Sequence, residues 1–207
     1  MGIEIERKFT IKKLPENLEQ YPVHVIEQGY LNVAPAIRVR RQDDSYYMTY
    51  KRRKDFGKID EADIVKKKDC CEQAEKGETL PVQASTAHTE IGQTEYNMPL
   101  DKTSYEHLVE KADGNVIRKK RYLIPLNSDG FDDEFLENNK EVKDALATNK
   151  IKIELDVFGP PFEGRLLAEV EFPSEEAAAA YHPAEWFDED VTGDLKYSNA
   201  HMSAEIL

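Results

Sequence analysis

The opening stretch, Ile3-Glu4-Ile5-Glu6-Arg7-Lys8-Phe9-Thr10-Ile11, alternates with a period of two. Ile3, Ile5, Phe9 and Ile11 fall on one side, and Glu4, Glu6, Lys8 and Thr10 on the other. A helix would mix the two sets, because its period is 3.6 residues, so the alternation selects a strand. One side of that strand needs apolar cover. The other lines up two carboxylates and an ammonium at two-residue intervals. A single run of this kind is weak evidence: acidic residues number 41 of 207. Independent placement at that density yields roughly eight acid-x-acid pairs, against ordinary charged-residue frequencies. The constraint comes from repetition.

The pattern recurs along the chain. Residues 24–31 read as a strand with Ile26, Gln28 and Tyr30 on one side. Residues 37–41 set Ile37 and Val39 against Arg38 and Arg40, and residues 46–51 set Met48 and Tyr50 against Tyr47, Thr49 and Lys51. In 91–100, Glu95 and Asn97 oppose Tyr96 and Met98. In 116–126, Lys119 and Arg121 share a side; a one-residue slip would exchange them for Arg118 and Lys120. Residues 151–158 alternate Ile151, Ile153, Leu155 and Val157 with Lys152, Glu154 and Asp156. After the Gly159-Pro160-Pro161 turn, Leu166, Ala168, Val170 and Phe172 alternate with Leu167, Glu169 and Glu171, which predicts an antiparallel hairpin.

Between the strands, Asp101 is placed to cap a helix that runs to about Ala112 and stops at Gly114. Ser174 caps an alanine-rich helix whose Glu175 and Glu176 suit the dipole, and Pro183 ends it. Residues 52–90 and 127–150 read as polar insertions, the second with a helix near 140–147, in a single domain spanning 1–207. Trp186 and Phe187 read as anchors on the core, 190–199 as a loop and 201–207 as a short tail.

Composition narrows the class. Apolar residues at 40% support a core, while a net charge of −13 argues against a general nucleic-acid binder. No apolar run reaches the length of a membrane span, and the first residues form a charged strand rather than a signal peptide. Cys70 and Cys71 are adjacent, a poor geometry for bridging to each other, and no zinc-type spacing is present. The expectation is a soluble cytoplasmic protein with no membrane or nucleic-acid partner. Nothing in the pattern fixes an oligomeric state.

One arrangement reconciles many strands that are apolar on one side and charged, with both signs, on the other. It is an α+β fold in which a closed or nearly closed antiparallel β-barrel has a charged, wet lumen and helices packed outside. Carboxylates clustered alone would repel, and a divalent cation relieves that. Clustered Arg and Lys call for an anion, and phosphate matches the guanidinium fork. Together they describe a site for a metal-bound polyphosphate. No Cys/His nucleophile pair, P-loop or glycine-rich cradle competes with it.

Glu4-Ile5-Glu6-Arg7-Lys8 resembles the ExExK signature of the CYTH domain, the triphosphate tunnel metalloenzymes. The likeness extends in order through Arg38 and Arg40, Thr49 and Lys51, Lys119 and Arg121, Glu154 and Asp156, and Glu169 and Glu171. It ends at Val191-Thr192-Gly193-Asp194 and Lys196-Tyr197-Ser198-Asn199. It covers nearly the whole chain outside the two insertions. Two departures stand out: Asn97 occupies a place where the family often carries a second acid, and the 52–90 insertion is long.

The resemblance implies an eight-stranded antiparallel tunnel that takes a linear triphosphate with Mg²⁺ or Mn²⁺. Glu4, Glu6, Asp156, Glu169 and Glu171 would serve the metal, with Glu154 in support. Lys8, Arg38, Arg40, Lys51, Lys119, Arg121 and Lys196 would hold phosphate oxygens. Glu4, Glu6, Lys8, Glu169 and Glu171 would form the catalytic set. The implied reaction is hydrolysis of inorganic triphosphate, with nucleoside triphosphates as weaker substrates. A class IV-type adenylate cyclase and a non-catalytic polyphosphate-binding module are the alternatives.

Overall fold

The structure, a computed structural model, describes residues 2–53 and 92–207; for 2–4, 52–53 and 92–94 it describes the backbone alone. The 52–90 insertion lies outside the described residues apart from the two that end a strand. Nine strands form one antiparallel sheet: β1 (Gly2–Ile11), β2 (Val23–Val33), β3 (Ala36–Gln42), β4 (Ser45–Arg53), β5 (Gly92–Leu100), β6 (Asp113–Pro125), β7 (Lys152–Phe158), β8 (Leu166–Phe172) and β9 (Phe187–Asp190). Their order is β5-β4-β3-β2-β6-β7-β8-β1-β9. The far edge of β1 is shared: Gly2 to Ile5 pair with β5, while Phe9 and Ile11 pair with β9. The expected eight strands therefore become nine. Phe187–Asp190, read from sequence as an anchor and the start of a loop, adds itself to β1. The reason is local: Phe187 stacks on Phe9 at 4.5 Å between ring centroids, drawing its neighbours alongside the strand that carries Phe9.

Most of the helices cover one face. Helix α1 (Lys102–Val109) is capped by Asp101, whose side chain accepts from the Ser104 amide, and it buries Tyr105. It lies against β2 and β3, where Gly29 permits close approach: a Cβ there would sit 2.6 Å from that of Ala112. The 127–150 segment carries the helix expected near 140–147 and a second one before it. It holds α2 (Asp133–Asn138) and α3 (Lys140–Ala147), and Phe131 and Val142 are buried in the main core. A few apolar side chains on one helical stripe suffice to dock such a segment, however polar its average. Helix α4 (Glu175–Ala180) starts at the Ser174 cap and presses Ala177 and Ala178 onto the same core.

The main core gathers Phe9 of β1, Ile153 and Leu155 of β7, and Ala168, Val170 and Phe172 of β8 under these helices. At roughly 1.5–3 kcal/mol per large side chain withdrawn from water, this layer is the main source of stability. The expected tail is also partly ordered: α5 (Asn199–Ser203), capped by Ser198, carries fully buried Met202. Among the described residues no helix is long and apolar enough to cross a membrane.

Candidate active site

The face turned away from the helices of the main core collects the charged residues, and strand register brings them together. Lys8 lies opposite Glu169 and Glu6 opposite Glu171 across β1–β8. Glu154 opposes Glu169 across β7–β8, and Arg121 opposes Asp156 across β6–β7. Gln28 opposes Arg40 and Tyr30 opposes Arg38 across β2–β3; Thr49 then faces Arg38, and Lys51 faces Glu95, across the next two ladders. Because side chains alternate along a strand, this register puts Lys119 and Arg121, not Arg118 and Lys120, on the shared face. Arg118 instead meets Glu27 on the other face.

At the centre, Arg121 bridges three strands. Its Nε donates to Asp156 Oδ1 at 2.7 Å, its Nη2 to Asp156 Oδ2 at 2.7 Å and to Glu169 Oε2 at 2.5 Å, and its Nη1 to Glu154. Lys119 donates to Asp156 as well. Lys8 Nζ lies 2.8 Å from Glu169 Oε1 and 3.9 Å from Glu6 Oε1. Burial disfavours every one of these charges, so the signs of the shifts are set by partners. Burial pulls the Lys8 ammonium down, but Glu169 and Glu6 outweigh it and raise it. Burial pushes the Glu169 carboxyl up, yet Lys8 and Arg121 hold it well below the usual range. Asp156 is likewise held low by Arg121 and Lys119 against its burial.

Lys119 goes the other way. Burial and the adjacent Arg121 lower it to about 8, despite its bond to Asp156. The two partners differ because Asp156 already has a two-point contact with Arg121, which secures the carboxylate. The lysine must share that carboxylate with a stronger competitor.

The opposite wall is different in kind. Arg38 and Arg40 are both 8% exposed, and among the described residues neither forms an ion pair. Arg38 Nη2 donates to Thr49 Oγ1 at 3.1 Å, Thr49 donates on to Asn97 Oδ1, and Asn97 Nδ2 donates to Glu95. Arg40 Nε donates to Gln28 Oε1 at 2.9 Å and Arg40 Nη1 to the Tyr47 hydroxyl at 3.2 Å. Burial and the nearby Arg38 lower Arg40 below its ordinary value, a site deficient in negative charge. Lys51 Nζ lies 3.3 Å from Glu95 Oε2.

The carboxylates show the complementary deficit. Burial, then Glu154 and Glu6, push Glu171 above the usual carboxylate range. Hard oxygen donors with unrelieved mutual repulsion fit Mg²⁺ or Mn²⁺ in chemistry. Among the described residues no three His, Cys, Asp or Glu side chains form a metal-holding group on their own. The side chain of Glu4 lies outside the described residues. Magnesium ordinarily takes one or two carboxylates and completes its shell from substrate phosphates and water, so a partial protein set is in keeping with it.

Lys196 stands apart from this cluster. It is exposed on the 3₁₀ turn Leu195–Tyr197 and lines a cavity of about 440 Å³ with Thr10, Arg165, Tyr197, His201 and Glu205. The charged face is also apolar in part. Tyr30, Ile117, Phe158 and Leu167, all in register with the charged side chains, pack with Phe162 and Met202 of α5. Sequence reasoning missed this plug, because Met202 sits in a stretch read as tail. It also gave no role to Gln28 and Tyr47, although their parity with the site was visible.

No protein-family model matches the chain. It is 29% identical over 207 residues to the inorganic triphosphatase of Nitrosomonas europaea, the alignment covering 98% of each protein. The crystal structure of the inorganic triphosphatase NE1496 matches 100% of this chain and 97% of its own at 27% identity, with a TM-score of 0.57. A crystal structure of NE1496 described as a hypothetical protein matches 99% of each chain at 28% identity, again with a TM-score of 0.57.

The chain is thus similar over its full length to an inorganic triphosphatase. Alongside that similarity stands the cross-strand pairing of Glu6 with Glu171 and of Lys8 with Glu169. Asn97, at the departure from the CYTH pattern, accepts a hydrogen bond from Thr49 and donates one to Glu95.

Proposed function

We propose that this chain is a CYTH-type enzyme that hydrolyses inorganic triphosphate, with a divalent cation, on the charged face of its sheet. The observation that carries the reading is the pairing of two deficits on one face: buried Arg38 and Arg40, which have no ion-pair partner among the described residues, and Glu171 crowded by other carboxylates. A metal-bound polyanion answers both at once. The ladder between β1 and β5 supports the further reading that the sheet closes into a tunnel around the substrate.

Glu6 and Glu171 are the residues that would hold the cation, with Glu4 beside them in sequence; Mg²⁺ or Mn²⁺ would offset charge on the phosphate oxygens and acidify an attacking water. Asp156 and Glu169, each engaged by two cationic side chains, act as counter-ions that hold Arg121, Lys119 and Lys8 in place. Arg38 and Arg40 grip phosphate oxygens, and Lys8, Lys119 and Arg121 steady the transferring group from the other wall. Such positioning and fixed charge is most of what phosphoryl transfer asks of a protein.

The test is phosphate release from tripolyphosphate with Mg²⁺ or Mn²⁺, run beside cyclic AMP production from ATP. Release of phosphate from tripolyphosphate supports the proposal. Cyclic AMP without phosphate release, or binding of tripolyphosphate without turnover, overturns it in favour of a cyclase or a binding module respectively.

A further inference from the structure

Gln28 is fully buried on the charged face, between Arg40 of β3 and Ile117 of β6. Its amide orientation is dictated by chemistry: Arg40 Nε is a donor and guanidinium has no acceptor, so the atom 2.9 Å from it must be the carbonyl Oε1. That leaves Nε2 turned elsewhere, and it is buried with no hydrogen-bond partner among the described residues. Arg38 Nε, on the same strand as Arg40, is also buried without a partner. A buried donor left unmet is costly, and native structures rarely keep one without a reason. Here the two orphaned donors belong to side chains of the same wall, where neither Arg38 nor Arg40 has an ion-pair partner among the described residues.

We propose that Gln28 is a positioning and phosphate-contacting residue of the triphosphate site: its carbonyl oxygen fixes the Arg40 guanidinium, and its Nε2 donates to an oxygen of the bound polyphosphate. The inference rests on the functional reading above. The two ends of one amide thus do different work. Oε1 occupies Arg40 Nε, so that Arg40 meets the substrate through its Nη groups, one of which also donates to Tyr47. Nε2 and Arg38 Nε supply further donors to the same anion. The tie to Arg40 comes from directly opposed residues on adjacent strands, so its geometry is set by the sheet rather than by a loop.

The experiment compares wild type with Gln28→Glu and Gln28→Met for tripolyphosphate hydrolysis, with melting temperature as the control for folding. The glutamate keeps an acceptor for Arg40, but it offers no donor and brings a negative charge to the anion. The methionine keeps the volume and removes both ends. The expected result is a KM for tripolyphosphate raised about tenfold or more in Gln28→Glu, as for a lost charge-assisted hydrogen bond. Its kcat should fall by no more than about threefold, the signature of lost binding rather than lost chemistry. Gln28→Met should raise KM as well and also lower kcat, because Arg40 is no longer held. A folded variant of either kind with the wild-type KM overturns the inference while leaving the triphosphatase reading intact. If wild type itself neither binds nor hydrolyses tripolyphosphate, the functional reading fails, and this inference fails with it.

Discussion

Lys8 Nζ lies 2.8 Å from Glu169 Oε1, between residues directly opposed across the β1–β8 ladder. The contact shows how the sheet builds its charged face. Each cation on the β1–β8 side is held by a carboxylate from a neighbouring strand, while Arg38 and Arg40 on the β3 side are held by neutral groups, Thr49, Gln28 and Tyr47. The first set is neutralised within the protein. The second is not neutralised among the described residues, which is what the proposed anion site relies on.

Asp156 is 1% exposed and satisfies both Arg121 and Lys119. Asp156→Asn removes the negative charge and leaves two buried cations competing for fewer acceptors. Breaking a buried pair from one side costs about 3–5 kcal/mol. Urea unfolding of the variant should show a loss of that order, and an unchanged midpoint would refute the counter-ion role.

Glu171→Gln should separate stability from metal use. Its carboxyl is raised by burial and by Glu154 and Glu6, so neutralising it relieves repulsion, and the melting temperature without metal should hold or rise. The Mg²⁺ or Mn²⁺ concentration for half-maximal hydrolysis should rise about tenfold or more, the scale on which metal-site changes act. A metal titration with wild-type midpoint would remove Glu171 from the cation site.

Lys119, at about 8 in the fold against an ordinary 10.5, has a definite sign in its pH dependence. Between those values the unfolded chain keeps a proton that the native state has released, so this group's contribution to stability increases as pH rises through that window. Tripolyphosphate binding should move the opposite way, weakening above about 8 as the ammonium is lost. Melting temperature and KM measured from neutral to alkaline pH, wild type against Lys119→Met, check both. The difference in melting temperature should shift in favour of wild type on the alkaline side, and a flat difference would count against the lowered value.

Gly114 has φ of 72°, and a Cβ on it would lie 2.0 Å from the Ser203 carbonyl oxygen. Gly114→Ala therefore combines left-handed backbone strain with a backbone clash against the end of α5. A loss of about 2 kcal/mol or more is expected, since each such feature costs 1–3 kcal/mol. Limited proteolysis should cut the C-terminal residues faster than in wild type, because α5 is the element that must move. Equal stability and equal cleavage would mean that the close approach is absent.

Much of the fold was legible because alternation is a local property. The two-residue period in 3–11, 151–158 and 165–172 gives strand, face and partner type without tertiary knowledge, and the Asp101 and Ser174 caps announce helices α1 and α4. The choice of Lys119 and Arg121 over Arg118 and Lys120 was harder, since both sets alternate. It was settled by the pairing of Arg121 with Asp156 across β6–β7. What sequence reasoning lost was whatever depends on a single distant contact. Phe187 becomes a strand because Phe9 is there to stack on, and Met202 becomes a plug because Tyr30 and Phe158 face it.

The sequence alone determined which residues share a side of each strand, because backbone geometry makes that a matter of counting. Hence it determined that acids and bases would stand together away from the apolar layer. Only the tertiary structure decided which charges neutralise one another and which stay unmet. That depends on register between strands far apart in the chain, and on how deeply each group is withdrawn from water. Asp156 and Arg40 are both buried charges on one sheet face, and no local pattern distinguishes the one that is paired from the one that is held by an amide.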